Sequence, residues 1–218
     1  MNNREFIVRR IAQEFKDGDV VNLGVGMPTM AVDYIPANVH IMLQAENGIL
    51  GVGPKATKAQ ENIDCIDSGG SYVTTMTGAC YFDSVLSFSI IRGGHVDITV
   101  LGALEVDENG NLASWMIPGK KVPGMGGAMD LVVGAKRVII AMDHVNKDGK
   151  PKILKNCKLP LTAVNVVKTI VTEMAVIDVI PGKGLMLSEI APGLSVEDVQ
   201  KATGAELLIS PNLKAIAV

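Results

Sequence analysis

A glutamate at the end of an apolar run is the side chain in this sequence best placed to do chemistry. Glu46 follows a predicted strand over residues 40–44 and precedes Asn47 and Gly48, so its carboxylate stands at a strand end beside a turn. In α/β proteins, ligands bind beyond the carboxyl ends of the strands. A carboxylate also needs no general base, because glutamate is normally ionised near neutral pH. A glutamate in a solvent-facing turn is the alternative interpretation.

Two glycine-rich segments offer backbone N–H groups to the same kind of site. Residues 24–29 read Gly-Val-Gly-Met-Pro-Thr after an apolar strand, and residues 124–130 read Gly-Met-Gly-Gly-Ala-Met-Asp. Successive N–H groups in such loops can converge on an anion or on a developing oxyanion. The first segment matches neither the dinucleotide fingerprint nor the P-loop. Tight connections between elements are the alternative for both segments.

Other common catalytic patterns are missing from the sequence. His40, His95 and His144 have no ligand-like spacing, so we expect structural roles for them and no metal site. The sequence contains no Gly-x-Ser-x-Gly serine elbow. Its three cysteines are far apart and have no Cys-x-x-Cys spacing, which favours reduced thiols in a reducing compartment.

The composition describes a chain that folds around a substantial core. Of its 218 residues, 48% are hydrophobic and 20% are charged, which excludes a disordered tail. The net charge of −3 and the aromatic content of 4% argue against a nucleic-acid binder. The charged N-terminal residues do not resemble a signal peptide, and no apolar run approaches a membrane span. We therefore expect a cytoplasmic protein that binds no nucleic acid and no membrane.

The helices and strands that must position these residues are predicted from the spacing of apolar residues and from cap and turn residues. Apolar residues at three- and four-residue steps predict a helix over residues 4–16, ended by Gly18. Further helices are predicted from Pro28, over 83–92 and, after a serine cap, over 195–202. Apolar runs predict strands, which are at 20–23, 40–44, 96–101, 138–142, 175–180, 185–190 and 206–210. Residues 51–71 are predicted to be a loop with at most short strands, and residues 118–127 are predicted to be a loop. Asn109-Gly110 predicts a hairpin turn.

Nearly continuous apolar strands that alternate with helices indicate an α/β protein. The prediction is an open, mostly parallel sheet covered by helices on both faces, with some antiparallel hairpin strands. We find no internal repeat and no obvious linker, so we expect residues 1–218 to form a single domain.

Several motifs, taken together, resemble those of a known enzyme family. In chain order, these motifs are at residues 21–29, 44–48, 82–84, 91–95, 118–120 and 124–131. In this combination the chain resembles the B (β) subunit of a family I 3-oxoacid CoA-transferase, and it is most similar to bacterial acetate/butyrate–acetoacetate CoA-transferases. The resemblance extends from about residue 4 to residue 210. It implies the fold shared by CoA-transferases and sugar-phosphate isomerases.

The resemblance also implies a mechanism and a site. Glu46 would be the covalent nucleophile of a ping-pong reaction that moves CoA between a short-chain acyl-CoA, such as acetyl-, butyryl- or succinyl-CoA, and a 3-oxoacid such as acetoacetate. Gly126 and Gly127 would donate to the oxyanion, and we expect Asn47, Gly24 and Gly26 to contribute further oxyanion or CoA contacts. The family usually has a serine before the glutamate, and this chain has Ala45. The missing hydroxyl is expected to affect how the glutamate is oriented.

The resemblance implies that this chain is half of an enzyme. A homologous A (α) subunit would complete the site in an αβ or α2β2 assembly, and the ligands would be acyl-CoA and short-chain carboxylic or 3-oxo acids. No metal or organic cofactor is implied, because CoA is a substrate.

Two other classes of function remain open at this point. An acyl-CoA hydrolase or a sugar-phosphate isomerase on the same scaffold would need an acid–base pair or a phosphate loop. The acidic residues near Glu46 in the sequence show no paired pattern, and they are Glu61, Asp64, Asp67 and Asp83. A non-catalytic ligand-binding module would give Glu46 no role and would bind no A-type partner.

Overall fold

A computed structural model describes residues 1–122 and 124–218. Pro123, which falls within the predicted loop 118–127, lies outside the described residues. The helical elements comprise a 3₁₀ helix, Met27–Tyr34, and four α-helices, which are α1 (Asn3–Ala12), α2 (Ser84–Arg92), α3 (Ala128–Gly134) and α4 (Val196–Ala202).

The described residues form thirteen strands in two sheets. These strands are β1 (Val20–Leu23), β2 (Met42–Ala45), β3 (Ile49–Lys55), β4 (Val73–Tyr81), β5 (Ile98–Leu101), β6 (Glu105–Asp107), β7 (Leu112–Ala113), β8 (Arg137–Ala141), β9 (Ile153–Leu154), β10 (Thr169–Val171), β11 (Ala175–Ile180), β12 (Gly184–Ile190) and β13 (Leu207–Ala215). The large sheet has ten strands in the order β13-β12-β11-β10-β8-β5-β1-β2-β3-β4, and the small sheet has the order β7-β6-β9.

The centre of the large sheet is parallel, as the apolar strands predict. Strands β2, β1, β5, β8 and β10 run parallel to one another. All four residues of β5 are buried. Antiparallel hairpins extend the sheet on both sides, through β3 and β4 at one edge and through β11 and β12 at the other. The predicted mixed α/β sheet is therefore confirmed.

Each face of the sheet carries its own apolar core, because successive side chains on a strand point to opposite faces. On one face, Ile7 and Ile11 of α1 pack in a cluster with Val21 and Ile139. On the other face, α2, α3 and α4 pack against Ile140 and its neighbours. Helices thus cover both faces, as predicted.

The first helix is shorter than its periodicity predicts. It ends at Ala12, and the backbone N–H of Gln13 donates to the carbonyl of Arg10. The prediction that Gly18 ends this helix is therefore wrong. Gly18 lies in the next turn, where its amide donates to the carbonyl of His40. Phe15 is still buried, so apolar residues beyond the helix continue its periodicity without continuing its backbone conformation.

The segment 51–71, predicted to be loop with at most short strands, begins inside a strand of seven residues. Strand β3 runs through Ile49–Lys55 and pairs with β4, which the sequence did not indicate. Gly51, Gly53 and Pro54 interrupt the apolar pattern of this strand, and its register shifts twice against β4. The remaining residues, 56–72, form turns and isolated bridges.

Turn and cap signals predicted other boundaries well. Residues 108–111 connect β6 and β7 as the expected hairpin. The side chain of Asp83 accepts from Leu86 N at the start of α2, and Ser195 forms a capping box with Asp198 at the start of α4. None of the helices within the described residues combines the length and apolar character needed to cross a membrane.

Candidate active site

The site lies where three neighbouring parallel strands reach their carboxyl ends. Strand β1 ends at Leu23 before the Gly24–Gly26 turn, and β2 ends at Ala45 directly before Glu46. These strands are paired in register, with Asn22 opposite Gln44 on one side and opposite Thr99 of β5 on the other. The strand ends therefore bring the glycine turn and Glu46 to one edge of the sheet.

Glu46 is half-buried, and the hydrogen bonds that it accepts within the described residues all reach Oε2. The hydroxyl of Ser68 donates to Oε2 at 2.8 Å, and the amide of Asn22 approaches it at 3.4 Å. The turn after the glutamate requires glycine. Gly48 has a φ of 120°, and a β-carbon there would overlap the carbonyl oxygen of Phe82. This turn fixes the direction in which the chain leaves the site.

A row of buried polar side chains supports the glutamate from inside the sheet. Asn22 donates to the carbonyl and to Oε1 of Gln44 at 3.1 and 2.8 Å, and Gln44 donates to Ser87 Oγ at 3.0 Å. Asn22, Gln44 and Ser87 are all nearly inaccessible to solvent. Because buried polar groups are costly unless they are hydrogen-bonded, this row holds Asn22 in one orientation beneath Glu46.

The second glycine segment meets Glu46 from the opposite side. Gly127 directly precedes α3, and a β-carbon on it would lie 3.3 Å from Cγ of Glu46 and 3.5 Å from Cζ of Phe88. Within the described residues, the amides of Gly126 and Gly127 have no hydrogen-bond acceptor. The structure thus places Gly127 of the predicted glycine loop, 81 residues further along the chain, against Glu46.

The first glycine segment contributes less than expected. The amide of Gly24 donates to the carbonyl of Val100 at 2.8 Å, so this N–H belongs to the sheet and is not free for an anion. Gly26 has a φ of 100°, which favours glycine, and it begins the 3₁₀ helix; Thr29 Oγ donates to its carbonyl at 2.8 Å. Gly26 lines the cavity described below, whereas Gly24 packs against Leu101.

Asn47 holds a neighbouring segment in place. Its side-chain amide donates to the carbonyl of Ile66 at 2.7 Å, and its Oδ1 lies 3.4 Å from Ser68 Oγ. The side chain of this predicted site residue is therefore directed at the segment 66–71 that supplies Ser68.

A cavity of about 650 Å³ opens beside the glutamate. Glu46 is not itself a lining residue of this cavity, but its neighbours Gln44, Ala45 and Ser68 are. The apolar wall of the cavity includes Leu23 and Met30. Its volume lies within the range typical of small-molecule sites. The cavity is therefore large enough to receive an organic ligand next to the carboxylate.

The other acidic candidates have separate roles. Asp67 lines the cavity, Asp83 caps α2, and Glu61 pairs with Lys58 at the surface. Within residues 1–122 and 124–218, no three His, Cys, Asp or Glu side chains converge as metal ligands. That the protein needs no metal stays a prediction.

His144 and Cys157 do not contribute catalytic groups to this site. His144 is fully buried and bonded to two threonines, in keeping with the structural role expected for it. Burial raises the pKa of the Cys157 thiol to about 12, and the carboxylates of Asp107 and Glu105 add to this effect. At neutral pH this thiol is therefore protonated and a poor nucleophile.

Sequence reasoning missed Asn22, Gln44 and Ser68. Asn22 could have been found, because it is a polar residue within the apolar run of β1 and a buried polar residue needs a partner. Gln44, just before Ala45 and Glu46, gives a weaker signal of the same kind. Ser68 gives no signal, because it lies in a polar, irregular segment.

Comparisons with known proteins show the family of this chain. Residues 4–202 match the family model described as Coenzyme A transferase. The chain is 50% identical over 210 residues to the B-type subunit of the probable succinyl-CoA:3-ketoacid coenzyme A transferase of Bacillus subtilis, covering 96% of this chain and 97% of that one. It is 51% identical over 213 residues to the acetate CoA-transferase subunit beta of Escherichia coli, covering 98% and 97%.

Longer proteins contain the same unit. The human mitochondrial succinyl-CoA:3-ketoacid coenzyme A transferase 2 is 49% identical over 212 residues, which cover 97% of this chain and 41% of the human one. Crystal structures of an acyl-CoA transferase from Escherichia coli O157:H7 match with 26% identity. The apoenzyme has a TM-score of 0.76 and a thioester complex with CoA has 0.72, each over 43% of that chain and at least 99% of this one.

Proposed function

This chain belongs to the coenzyme A transferase family, and we propose that it is the subunit that carries the nucleophile, Glu46, of a CoA-transferase. The observation that carries this proposal is the placement of Glu46. Its carboxylate stands at the end of β2 between Ser68, Asn22 and the Gly126–Gly127 turn, beside a cavity of about 650 Å³. The names of the relatives support succinyl-CoA, acetate and 3-ketoacids as the substrate class.

The reaction we propose has two covalent intermediates. An oxygen of Glu46 attacks the acyl-CoA carbonyl, the C–S bond breaks, and CoA leaves as a thiolate from a glutamyl–acyl anhydride. The thiolate then attacks the glutamyl carbonyl and expels the acyl group as a carboxylate, which leaves a glutamyl-CoA thioester. An incoming 3-oxoacid such as acetoacetate reverses both steps and departs as its CoA ester. Covalent catalysis of this kind gives ping-pong kinetics.

The surroundings of Glu46 suit each step. The amides of Gly126 and Gly127 are the proposed donors to the oxyanion of the tetrahedral intermediates, since Gly127 lies against the glutamate. The apolar wall of the cavity is the proposed site of the acyl-pantetheine portion, where water that would hydrolyse the intermediates is displaced. Gly26 lines the cavity, and Asn47 holds the turn that carries Ser68 through its hydrogen bond to the carbonyl of Ile66. No cofactor is required, so dialysis against a chelator is expected to leave the activity unchanged.

We further propose a homologous A-type subunit as the partner. Two relatives of equal length are named as B or beta subunits, and the human relative is more than twice as long as the region it shares with this chain. Beside the site, α2 and α3 expose Val85 and Val133, each 75% accessible, together with Leu86 and Met129. Such apolar side chains suit a permanent interface. The mass of the complex in solution distinguishes an αβ from an α2β2 assembly.

The decisive experiment traps the thioester on this chain. The complex with the A-type subunit is incubated briefly with acetoacetyl-CoA and reduced with borohydride, and the peptides are weighed. Reduction of a glutamyl thioester to the alcohol lowers the peptide mass by about 14 Da, whereas ordinary carboxylates do not react. We expect this loss on the peptide that contains Glu46, and none in Glu46→Gln or Glu46→Ala complexes, which should be inactive.

A matched variant and a second readout separate the alternatives. Glu61→Gln removes an exposed carboxylate that pairs with Lys58, and it should keep full activity. Trapping at another residue, or substantial turnover by Glu46→Ala, would overturn the assignment of the nucleophile. Release of free CoA without an acyl acceptor and without a trapped thioester would instead identify an acyl-CoA hydrolase.

A further inference from the structure

We propose that Ser68 is a positioning residue, which holds Oε2 of Glu46 so that Oε1 faces the acyl-CoA carbonyl. This inference rests on the proposed function. The Ser68 hydroxyl donates to Oε2 at 2.8 Å, which makes it the shortest of the hydrogen bonds that the described residues give to this carboxylate. A hydrogen bond to a charged acceptor is stronger than a neutral one, so it restricts the rotation of the carboxylate.

Ser68 can fix the glutamate because Ser68 is itself held. The carboxylate of Asp67 accepts the amides of Gly69 and Ser71 at 2.9 and 2.8 Å, which closes a compact turn around Ser68. Asn47 anchors the start of this turn through the carbonyl of Ile66. A supporting group on a braced segment is preorganised, whereas one on a loose loop would lose entropy at each turnover.

Ser68 also connects the glutamate to the cavity, because it donates to Oε2 and is itself one of the residues that line the cavity. Ser68 lines the cavity together with Asp67 and Gly69 on the same turn. An acyl group that enters the cavity therefore meets Glu46 next to this hydrogen bond. The oxygen bound by Ser68 is directed towards the turn, and the other oxygen is the one left to attack.

A second acceptor lies within reach for the later steps. Asn47 Oδ1 is 3.4 Å from Ser68 Oγ. When Glu46 becomes an anhydride or a thioester, it loses its negative charge and accepts a weaker hydrogen bond. The Ser68 hydroxyl can then donate its hydrogen bond to Asn47 Oδ1 instead, so that it keeps an acceptor throughout the cycle.

The residue before the glutamate does not supply this hydroxyl. The side chain of Ala45 is buried and packs in a small apolar cluster with Ile49, Val52 and Val73. Its methyl group therefore belongs to the packing beneath β3. In this chain the hydroxyl on the carboxylate comes from the turn at residues 67–71.

The test compares the Ser68→Ala and Ser68→Thr complexes with wild type in a single turnover with acetoacetyl-CoA. Thioester on Glu46 is quantified over time by borohydride trapping and mass spectrometry. We expect the rate constant of thioester formation to fall about 10-fold in Ser68→Ala, with the final amount of thioester unchanged. Ser68→Thr keeps the hydroxyl and should restore most of the rate. A purely structural role would lower the amount of competent enzyme and leave the rate constant of the remainder unchanged.

Thr57→Ala is the matched control, because it removes a hydroxyl from the same irregular segment whose hydrogen bond goes to Gln60. It should react at the wild-type rate. If Ser68→Ala does not assemble, Ser68→Cys takes its place, since a thiol of similar size donates weakly. A wild-type rate constant in the variant without the hydroxyl overturns the proposal. A wild-type complex that forms no thioester at all overturns the proposed function, and this inference with it.

Discussion

Gly127 lies so close to Glu46 that a β-carbon on the glycine would stand 3.3 Å from Cγ of the glutamate. The backbone of Gly127, at φ −78° and ψ 2°, is one that any residue can adopt. The need for glycine at this position therefore comes from the space that Glu46 occupies. This contact between α3 and the end of β2 makes the glycine turn part of the nucleophile's environment.

We expect Gly127→Ala to fold normally and to lose activity. The added methyl would lie 3.3 Å from Cγ of Glu46, so the glutamate side chain must move by a few tenths of an ångström, whereas Phe88 at 3.5 Å would make an ordinary contact. Small misplacements of reacting groups are costly, and we expect kcat to fall about 10- to 100-fold. Steady-state kinetics of the complex and a thermal melt measure the two effects. Gly102→Ala is the control, because a β-carbon there meets nothing within 4 Å; equal kcat values in both variants would contradict the argument.

Asn22 provides a second prediction, which concerns charge beneath the nucleophile. Its amide donates to Gln44 and towards Glu46, and the residue is 1% exposed. Asn22→Asp would replace a donor with a buried acceptor, so Gln44 would lose its partner and a second carboxylate would face Glu46. We expect a loss of about 2 kcal/mol in unfolding free energy and almost no turnover at pH 7.

Asn22→Ala separates these two effects. It removes the donor without adding charge, so it should be destabilised to a similar extent while keeping more activity than Asn22→Asp. Denaturant unfolding and turnover of the two complexes make the comparison. If both variants were equally active, the electrostatic part of the argument would be wrong.

The sequence predicted the strands and helix starts around this site because these depend on residues that are close together in the chain. An apolar run predicts β1, and Glu46 is adjacent in sequence to the strand that carries it, so its place at a strand end followed directly. Ser195 is a cap residue whose preference acts over three positions, and α4 begins where the serine predicts. The helix predicted over residues 83–92 begins at Ser84, with Asp83 as its cap.

Contacts between distant segments could not be predicted in this way. Ser68 and Glu46 are 22 residues apart, and they meet only because Asn47 and Asp67 fold the polar segment back over the strand end. Strand β3 could not be predicted from the sequence for a related reason. Its glycines and proline are tolerated because β4 pairs with it, and this pairing is a tertiary effect that outweighs local propensity.

The buried pair Arg10–Glu189 provides a prediction about stability. Nε and Nη2 of Arg10 donate to the two carboxylate oxygens of Glu189 at 2.6 and 2.9 Å, which ties α1 to β12. Burial alone would raise the pKa of Glu189, but the hydrogen bonds and charge of Arg10 lower it. A lowered pKa means that this stabilisation is present above the ordinary glutamate range and is lost as the pH falls below it.

We expect Glu189→Ala to cost about 3 kcal/mol of unfolding free energy, because it leaves a buried guanidinium with Glu14 as its remaining partner. The double variant Arg10→Met/Glu189→Leu should recover most of this loss, since an apolar pair replaces the ions. Urea unfolding at pH 7 measures both. Glu61→Ala, in an exposed pair, should change stability by less than about 1 kcal/mol. A Glu189→Ala loss as small as that would refute the prediction.

His144 predicts how the fold responds to acid. Its ring is fully buried, with Nδ1 2.9 Å from Thr172 Oγ1 and Nε2 2.9 Å from Thr203 Oγ1. Thr203 donates its own proton to the carbonyl of Val199 at 2.7 Å, so Nε2 is the donor to Thr203. The hydroxyl of Thr172 is within reach of both Nδ1 and the carbonyl of Ala175, at 2.9 and 3.2 Å, and in the neutral ring Nδ1 is the acceptor. This arrangement satisfies the neutral ring, and burial together with the nearby charge of Lys152 lowers the pKa of His144 to about 4.

The sign of the pH effect follows from that pKa. The unfolded chain binds a proton at His144 near pH 6.5 and the folded chain near pH 4, so falling pH favours unfolding across this window. We expect His144 to account for a loss of about 3 kcal/mol between pH 6.5 and pH 4. Urea unfolding at several pH values should therefore show a shallower acid slope for His144→Gln, even if that variant is less stable at pH 8. His95→Gln, at an exposed histidine, should keep the wild-type slope; parallel curves for wild type and His144→Gln would place the acid sensitivity elsewhere.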